Sequence, residues 1–138
     1  MATLDPVTLA ARIDQLIAAR WAEDKVEPAP PADNAEFLRR VYLDLAGRIP
    51  AAADVRRFLA DSNSDKRRRL VERLLESPTY ATHFSNTFRD VMLPGAHSNI
   101  QTQALLPSFE AGLRLRLSDN VPYDRLVTEL LTSNTQGT

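Results

Sequence analysis

The sequence PPADNAEFLRRVYLDLAGRIP, residues 30–50, carries a helix pattern together with its start and stop signals. Asp33, followed three residues later by Glu36, matches a capping box with Asp in place of the usual Ser or Thr. Gly47 suits the left-handed position at which many helices end. The apolar residues between these signals recur at helical spacing and are Phe37, Leu38, Val41 and Leu45. The stretch therefore predicts one amphipathic helix after a proline-rich break.

The residues before this stretch predict another amphipathic helix, over about residues 6–23. Asp5 is a suitable N-cap and Pro6 suits the first helical position. Its apolar residues again follow helical spacing and are Leu9, Ile13, Leu16, Ile17 and Trp21. Pro28-Ala29-Pro30-Pro31 then forms a stiff break before the second helix.

Five further helices follow from the remaining start signals. Pro50 opens a third helix, Ser64 or Asp65 caps a fourth, and Ser77-Pro78 starts a fifth. Residues 94–103 predict an exposed loop, a sixth helix covers about 104–118, and Pro122 starts a seventh.

These helices predict an all-α fold, an irregular bundle of about six to seven short helices with proline-rich breaks. The chain has 138 residues, which is the length of one domain, so we expect a single domain over 1–138. No alternating strand pattern of useful length is present. The expected buried residues include Trp21, Phe37, Val41, Leu74, Phe84 and Phe88.

Composition excludes several kinds of chemistry. The chain has no cysteine, which rules out disulfides, thiolate metal sites and thioether-attached haem. Its net charge of −1 gives no global signal for nucleic acid or an anionic membrane. No segment reaches the roughly 20 apolar residues of a membrane span. The polar ending, residues 132–138, suggests that the sequence is a piece of a longer protein.

The sequence offers no catalytic, cofactor or metal site. There is no G-x-S-x-G and no phosphate-binding glycine loop. The only histidines are His83 and His97, and neither has the spacing of a metal site. A haem held by His83 and Met92 is disfavoured, because nothing places the two on one helix face.

The strongest local charge is a basic cluster on the fourth helix, formed by Lys66, Arg67, Arg68, Arg69 and Arg73. It could bind a polyanion. The preferred interpretation is a solvated helix face, because Asp65, Glu72 and Glu76 lie at helical spacings from these cations.

Asp44 lies late in the second helix, at the edge of the apolar face, with Arg40 and Arg48 each four residues away. A half-buried carboxylate needs a partner. We therefore expect a structural ion pair between Asp44 and one of these arginines rather than a catalytic acid.

Several runs resemble the planctomycete cytochrome-associated domain, catalogued as domain of unknown function 1549. They are residues 30–50, VRRFLAD at 55–61, DKRRRLVERLLESPTY at 65–80 and NVPYDRLVTELL at 120–131. Many members carry W-x-x-H-W-x-D in the fifth helix, and the matching positions here are Phe84, Thr87, Phe88 and Asp90. Because Thr87 stands where the pattern has histidine, no role of that histidine transfers to this chain.

The resemblance implies a module of a larger exported bacterial protein, often beside a cytochrome c-like domain, with a chain that continues past residue 138. It implies no established enzymatic activity. We expect a non-enzymatic structural or interaction module whose partner is the rest of the parent polypeptide, contacted through leucines of helices six and seven (Leu105, Leu115, Leu130 and Leu131). One alternative is a part of a hydrolytic or redox assembly completed by missing domains. A weaker one is polyanion binding through Arg67 to Arg69.

Overall fold

A computed structural model describes residues 5–98 and 100–132 of the chain. This part of the chain is 76% helical and contains no strand, which confirms the all-α prediction. Its helices are α1 Pro6–Glu23, α2 Asn34–Ala46, α3 Ala52–Ala60, α4 Lys66–Leu75, α5 Pro78–Met92, α6 Ile100–Ser118 and α7 Tyr123–Thr132. A 3₁₀ turn, Ala96–Ser98, lies between α5 and α6.

The chain divides into two compact units, Met1–Ala32 and Asp33–Thr138. A segment of 32 residues with one helix cannot enclose a core of its own. The expectation of a single folding domain over 1–138 is a statement about cooperativity and stays a prediction.

Unit 1 consists of α1 and its flanking residues. The Asp5 carboxylate caps the helix by accepting hydrogen bonds from the backbone N–H groups of Val7 and Thr8 at 3.0 and 3.2 Å. Every residue of α1 is exposed, and Trp21, expected in the core, is 41% exposed. The burial prediction for Trp21 is therefore wrong, because helical spacing aligns apolar residues on one face but supplies no surface to cover them.

Unit 2 is built around α2, which packs against α3, α4 and α5. The apolar face of α2 buries Leu38, Tyr42 and Ala46. Phe58 of α3 and Leu70 and Leu74 of α4 complete this core. The partly buried residues packed around it are Phe37, Val41, Leu45 and Val55. The predicted α2 therefore forms the centre of unit 2.

Local signals predicted most helix ends. Asp33 caps α2 by accepting from the Glu36 N–H at 2.8 Å, and Gly47 ends α2 with a φ of 64°. The Ser77 hydroxyl caps α5 by accepting from the Tyr80 N–H. Asp65 precedes α4 without a side-chain cap, because its carboxylate instead accepts from the Arg68 guanidinium at 3.0 Å.

Two helix starts differ from the prediction. α3 begins at Ala52, two residues after Pro50. α6 begins at Ile100 rather than at about 104, and Pro107 lies inside it. Residues 100–106 contain neither glycine nor proline, so nothing in them breaks a helix, and the loop signals end before them.

The expected core residues of unit 2 reach different depths. Leu74 is buried, whereas Phe37, Val41, Phe84 and Phe88 are half-buried. Other buried residues lie on the second half of the unit: Ala81 and Ser85 on α5, Leu106 and Leu113 on α6, and Leu126 on α7. α5 packs against α6, which extends the fold away from α2.

Candidate functional site

The basic cluster of α4 is distributed among several partners. Arg68 donates to Asp65 and to Glu72, both at 3.0 Å, and these carboxylates raise the pKa of its guanidinium. Arg67 donates from Nε to the Asn34 side chain at 3.0 Å and lies over the Phe37 ring, 4.7 Å from its centroid. Arg68 therefore forms ion pairs along its own helix, whereas Arg67 packs α4 against α2.

The other cations of the cluster face α3. Lys66 donates from Nζ to the carbonyls of Asp61 and Phe58, at 2.7 and 3.3 Å, and so caps the C-terminal end of α3. Arg69 pairs with the Asp61 carboxylate at 2.9 Å. Arg73 has no ion pair within residues 5–98 and 100–132. Four of the five residues therefore have partners on α2, on α4 or at the end of α3, and polyanion binding by the cluster stays a prediction.

Arg57, on α3, joins Lys66, Arg69 and Arg73 around one cavity, which has a volume of about 210 Å³. No sequence pattern assigned a role to Arg57. The signal that could have found it is its place near the end of α3, because only residues 61–65 separate that end from the start of α4.

Asp44 does not form the expected pair within the described part of the chain. The Arg40 guanidinium donates to Glu36, one helical turn earlier. Asp44 and Arg48 are both exposed. An exposed carboxylate keeps its hydration and needs no protein partner, which removes the physical reason for the pair. Helical spacing places Asp44 at the edge of the apolar face of α2, and the structure leaves that edge in solvent.

His83 packs against the C-terminal end of α2. A Cβ added to Gly47 would overlap the His83 ring at Nδ1, so a larger residue there requires the ring to move. The same two residues line an open groove of about 310 Å³ with Ala46, Pro78, Thr79, Thr82 and Asn86. Across the described side chains, no three His, Asp or Glu residues are grouped to hold a metal ion. His97 belongs to the 3₁₀ turn, and its side chain is outside the described set.

One aromatic row runs along α5 and reaches α7. The ring centroids of Tyr80 and Phe84 lie 4.6 Å apart, those of Phe84 and Phe88 6.4 Å, and those of Phe88 and Tyr123 6.2 Å. The first three residues follow one another at intervals of four, which places them on one helix face. The row joins α5 to α7 and accounts for the half-buried positions of Phe84 and Phe88.

Two ion pairs link the last three helices, and sequence reasoning predicted neither. Arg89 of α5 pairs with Glu110 of α6, and their side chains are only 16% and 20% exposed. Arg116 of α6 pairs with Glu129 of α7 at 2.8 Å. The hydrogen bond from Arg89 lowers the pKa of Glu110, and those from Arg116 and Arg125 lower the pKa of Glu129. Partners 13 or more residues apart give no local sequence signal.

Apolar side chains are exposed in both units. In α1 the exposed fractions of Leu9, Ile13, Leu16, Ile17 and Trp21 run from 41% to 54%. In unit 2, Leu105, Leu115 and Leu131 are 65%, 62% and 82% exposed, which confirms their predicted exposure, whereas Leu130 is half-buried. None of the described helices is long and apolar enough to cross a bilayer.

Comparison with known families gives a match to nearly the whole chain. The model of the PSCyt2 family, described as protein of unknown function (DUF1549), matches residues 12–137. The chain belongs to this family. Membership confirms the resemblance found in the sequence. No curated protein and no solved structure matches the chain.

The PSCyt2 positions that correspond to W-x-x-H-W-x-D lie on two sides of α5. Phe84 and Phe88 belong to the half-buried aromatic row. Thr87 is exposed and donates its hydroxyl to the His83 carbonyl at 3.0 Å, and Asp90 is exposed and pairs with Arg89 at 2.8 Å. In this PSCyt2 chain the aromatic positions therefore serve packing, and Thr87 satisfies its hydroxyl on its own helix.

Proposed function

We propose that this PSCyt2 chain is a non-enzymatic helical interaction module of a larger exported protein. It binds the remaining polypeptide of that protein, in some relatives a cytochrome c-like domain, through apolar surface. The context of a larger, exported parent is what the family resemblance implies. The partner is taken from that context.

The observation that supports the proposal most directly is the apolar stripe of α1. Its five apolar side chains share one face, and each is more than 40% exposed. An 18-residue helix is only marginally stable in water unless its apolar face is covered. Amphipathic helices of this kind bind in apolar grooves, with anchors at intervals of three and four residues.

The size of the stripe favours a partner in the same polypeptide. Covering the exposed half of five such side chains contributes on the order of 5 kcal/mol. Association of two separate molecules costs about 4–15 kcal/mol in lost freedom and ordering. A tethered partner avoids most of that cost, because a linker holds it at a high effective concentration. The exposed Leu105, Leu115 and Leu131 add a second apolar surface to the same proposal.

Binding between this chain and the separately expressed remainder of the parent tests the proposal. Calorimetric titration should show saturable binding that depends little on salt, since the contact is apolar. Ile13→Glu places a charge in the stripe and should weaken binding about tenfold or more. Gln15→Glu adds the same charge about 200° around the helix and should leave binding unchanged.

An equal loss of binding affinity in both variants would show that the apolar stripe of α1 is not the contact surface. Because separation removes the tether, the titration uses protein concentrations up to about 1 mM, the range of effective concentration that a short linker supplies, and absence of binding there would contradict the interaction proposal itself. Export is tested separately, by fractionating cells that make the full-length parent, which should place it outside the cytoplasm.

A further inference from the structure

The cavity between α3 and α4 is lined mostly by cations. Its lining consists of Arg57, Phe58, Asp61, Lys66, Arg69, Leu70 and Arg73. Phe58 and Leu70, 6% and 2% exposed, belong to the core of unit 2 and provide a fixed apolar floor. Four positive side chains thus stand on a rigid base around a concave surface, with one carboxylate among them.

Internal carboxylates neutralise only part of this charge. Asp61 pairs with Arg69, and Asp54, outside the lining, lies 3.5 Å from the Arg57 guanidinium, whose side chain stays 68% exposed. Lys66 donates to backbone carbonyls, which satisfy its hydrogen bonds but leave its full charge. Arg73 has no ion pair among residues 5–98 and 100–132. With both carboxylates counted, the surroundings keep two positive charges in excess.

The core of unit 2 does not require this arrangement. Arg69 and Arg73 lie four residues apart on α4, a spacing at which like charges destabilise a helix by a few tenths of a kcal/mol. The buried positions of α4 are Leu70 and Leu74, so neither arginine belongs to the buried core. An anion in the cavity would remove the repulsion between them.

We propose that this cavity binds the phosphate or sulfate ester group of a small ligand. Arg57, Arg69 and Arg73 line the cavity, and the planar fork of a guanidinium group donates paired hydrogen bonds to the oxygen atoms of a tetrahedral oxyanion. The volume of about 210 Å³ is below the roughly 300–1,000 Å³ of sites for drug-sized ligands. The cavity therefore suits one esterified group with a few further atoms, such as a sugar ester. Arg67 and Arg68 lie outside the cavity lining and contact Asn34, Asp65 and Glu72, so the proposed ligand does not extend over them.

This site is separate from the apolar surfaces of the proposed function, and it is tested on the complete 138-residue chain. The probes are inorganic phosphate, inorganic sulfate, glucose 6-phosphate and glucose 6-sulfate, titrated at about 20 mM salt to limit screening. Amide resonances in two-dimensional NMR should show saturable shifts confined to α3 and α4.

Two arginine variants separate a specific site from general electrostatic attraction. Arg73→Gln should weaken binding about tenfold, because it removes one charge-assisted donor pair. Arg56→Gln removes the same charge from α3 at an exposed residue outside the cavity, and should change binding by less than about twofold. As a control for folding, circular dichroism should show both variants to be as helical as the unsubstituted chain.

The pH dependence identifies which ester binds. A phosphate monoester gains its second charge near a pKa of about 6, so its binding should tighten between pH 5 and 8, whereas that of a sulfate ester should stay constant. Saturable binding of either ester that Arg73→Gln weakens supports the site. Shifts that never saturate with any probe, or equal losses in the two variants, would overturn it.

Discussion

The helices α1 and α2 have the same local design and opposite surroundings. Each begins at an aspartate whose carboxylate accepts from the first-turn backbone, and each carries an apolar stripe at helical spacing. α2 buries Leu38, Tyr42 and Ala46, whereas α1 buries no residue. The comparison shows that capping and periodicity determine where a helix forms, and that the stability of its apolar face depends on what covers it.

The largest expected difference between the two helices is the response to shortening one leucine. Leu38→Ala in α2 should lower the free energy of unfolding by about 2–5 kcal/mol, because Leu38 is 1% exposed and its loss leaves a cavity. Leu16→Ala in α1, at 54% exposure, should lower it by about 0.5 kcal/mol or less. Urea unfolding of both variants measures the two values. Similar losses would mean that the stripe of α1 is covered in solution.

The ends of the two helices provide the second test. α1 is followed by Lys25 at a φ of 54°, so a side chain is accommodated in the left-handed region there. α2 ends at Gly47, where an added Cβ would overlap the His83 ring. Gly47→Ala should therefore lower the free energy of unfolding, by about 1–2 kcal/mol through backbone strain and by about 1–3 kcal/mol more through overpacking against His83.

Gly95→Ala is the matched control for Gly47→Ala. Gly95 also has a positive φ, 78°, but among the described residues no atom beyond its two chain neighbours lies within 4 Å of its added Cβ, so only the strain should appear. In thermal unfolding, Gly47→Ala should have a lower melting temperature than Gly95→Ala. Adding His83→Ala to Gly47→Ala should remove the overpacking and leave only the strain. Equal destabilisation by the two glycine variants would show that the His83 ring moves aside freely.

The smallest expected effect concerns ion pairs. Arg20 of α1 pairs with Glu23 and Asp24, and the three side chains are 46–70% exposed, so water and salt weaken these pairs. Glu110 in unit 2 is 20% exposed, and the hydrogen bond from Arg89 lowers its pKa below the ordinary 4.5. A lowered folded-state pKa stabilises the fold above the unfolded pKa, and this contribution disappears as the pH falls through the folded value.

Glu110→Gln should therefore be less stable than the unsubstituted chain at pH 7. Between pH 5 and 3 it should lose less stability than the unsubstituted chain loses. Urea midpoints measured across this range give the comparison. Glu23→Gln in α1 should change the free energy of unfolding at pH 7 by less than Glu110→Gln does, because its pair with Arg20 is exposed. If the urea midpoints of the unsubstituted chain and of Glu110→Gln fell in parallel as the pH drops, other carboxylates would account for the acid sensitivity.

The sequence by itself determined the all-α class, the bounds of α1 and α2 and the start of α5. These depend on interactions within a few residues: the carboxylates of Asp5 and Asp33, the Ser77 hydroxyl and the conformational freedom of Gly47. The family was also readable, because its runs of residues are continuous in the chain.

Only the tertiary structure decided which apolar faces are covered and which charges meet. Trp21 and Phe37 each lie on the apolar stripe of a helix, yet Trp21 is exposed and Phe37 packs on the core. Arg57 and Arg73 are 16 residues apart in the chain and line one cavity, while Arg40 turns to Glu36 and leaves Asp44 in solvent. Burial and electrostatics depend on distances between helices, and a local pattern of residues does not contain those distances.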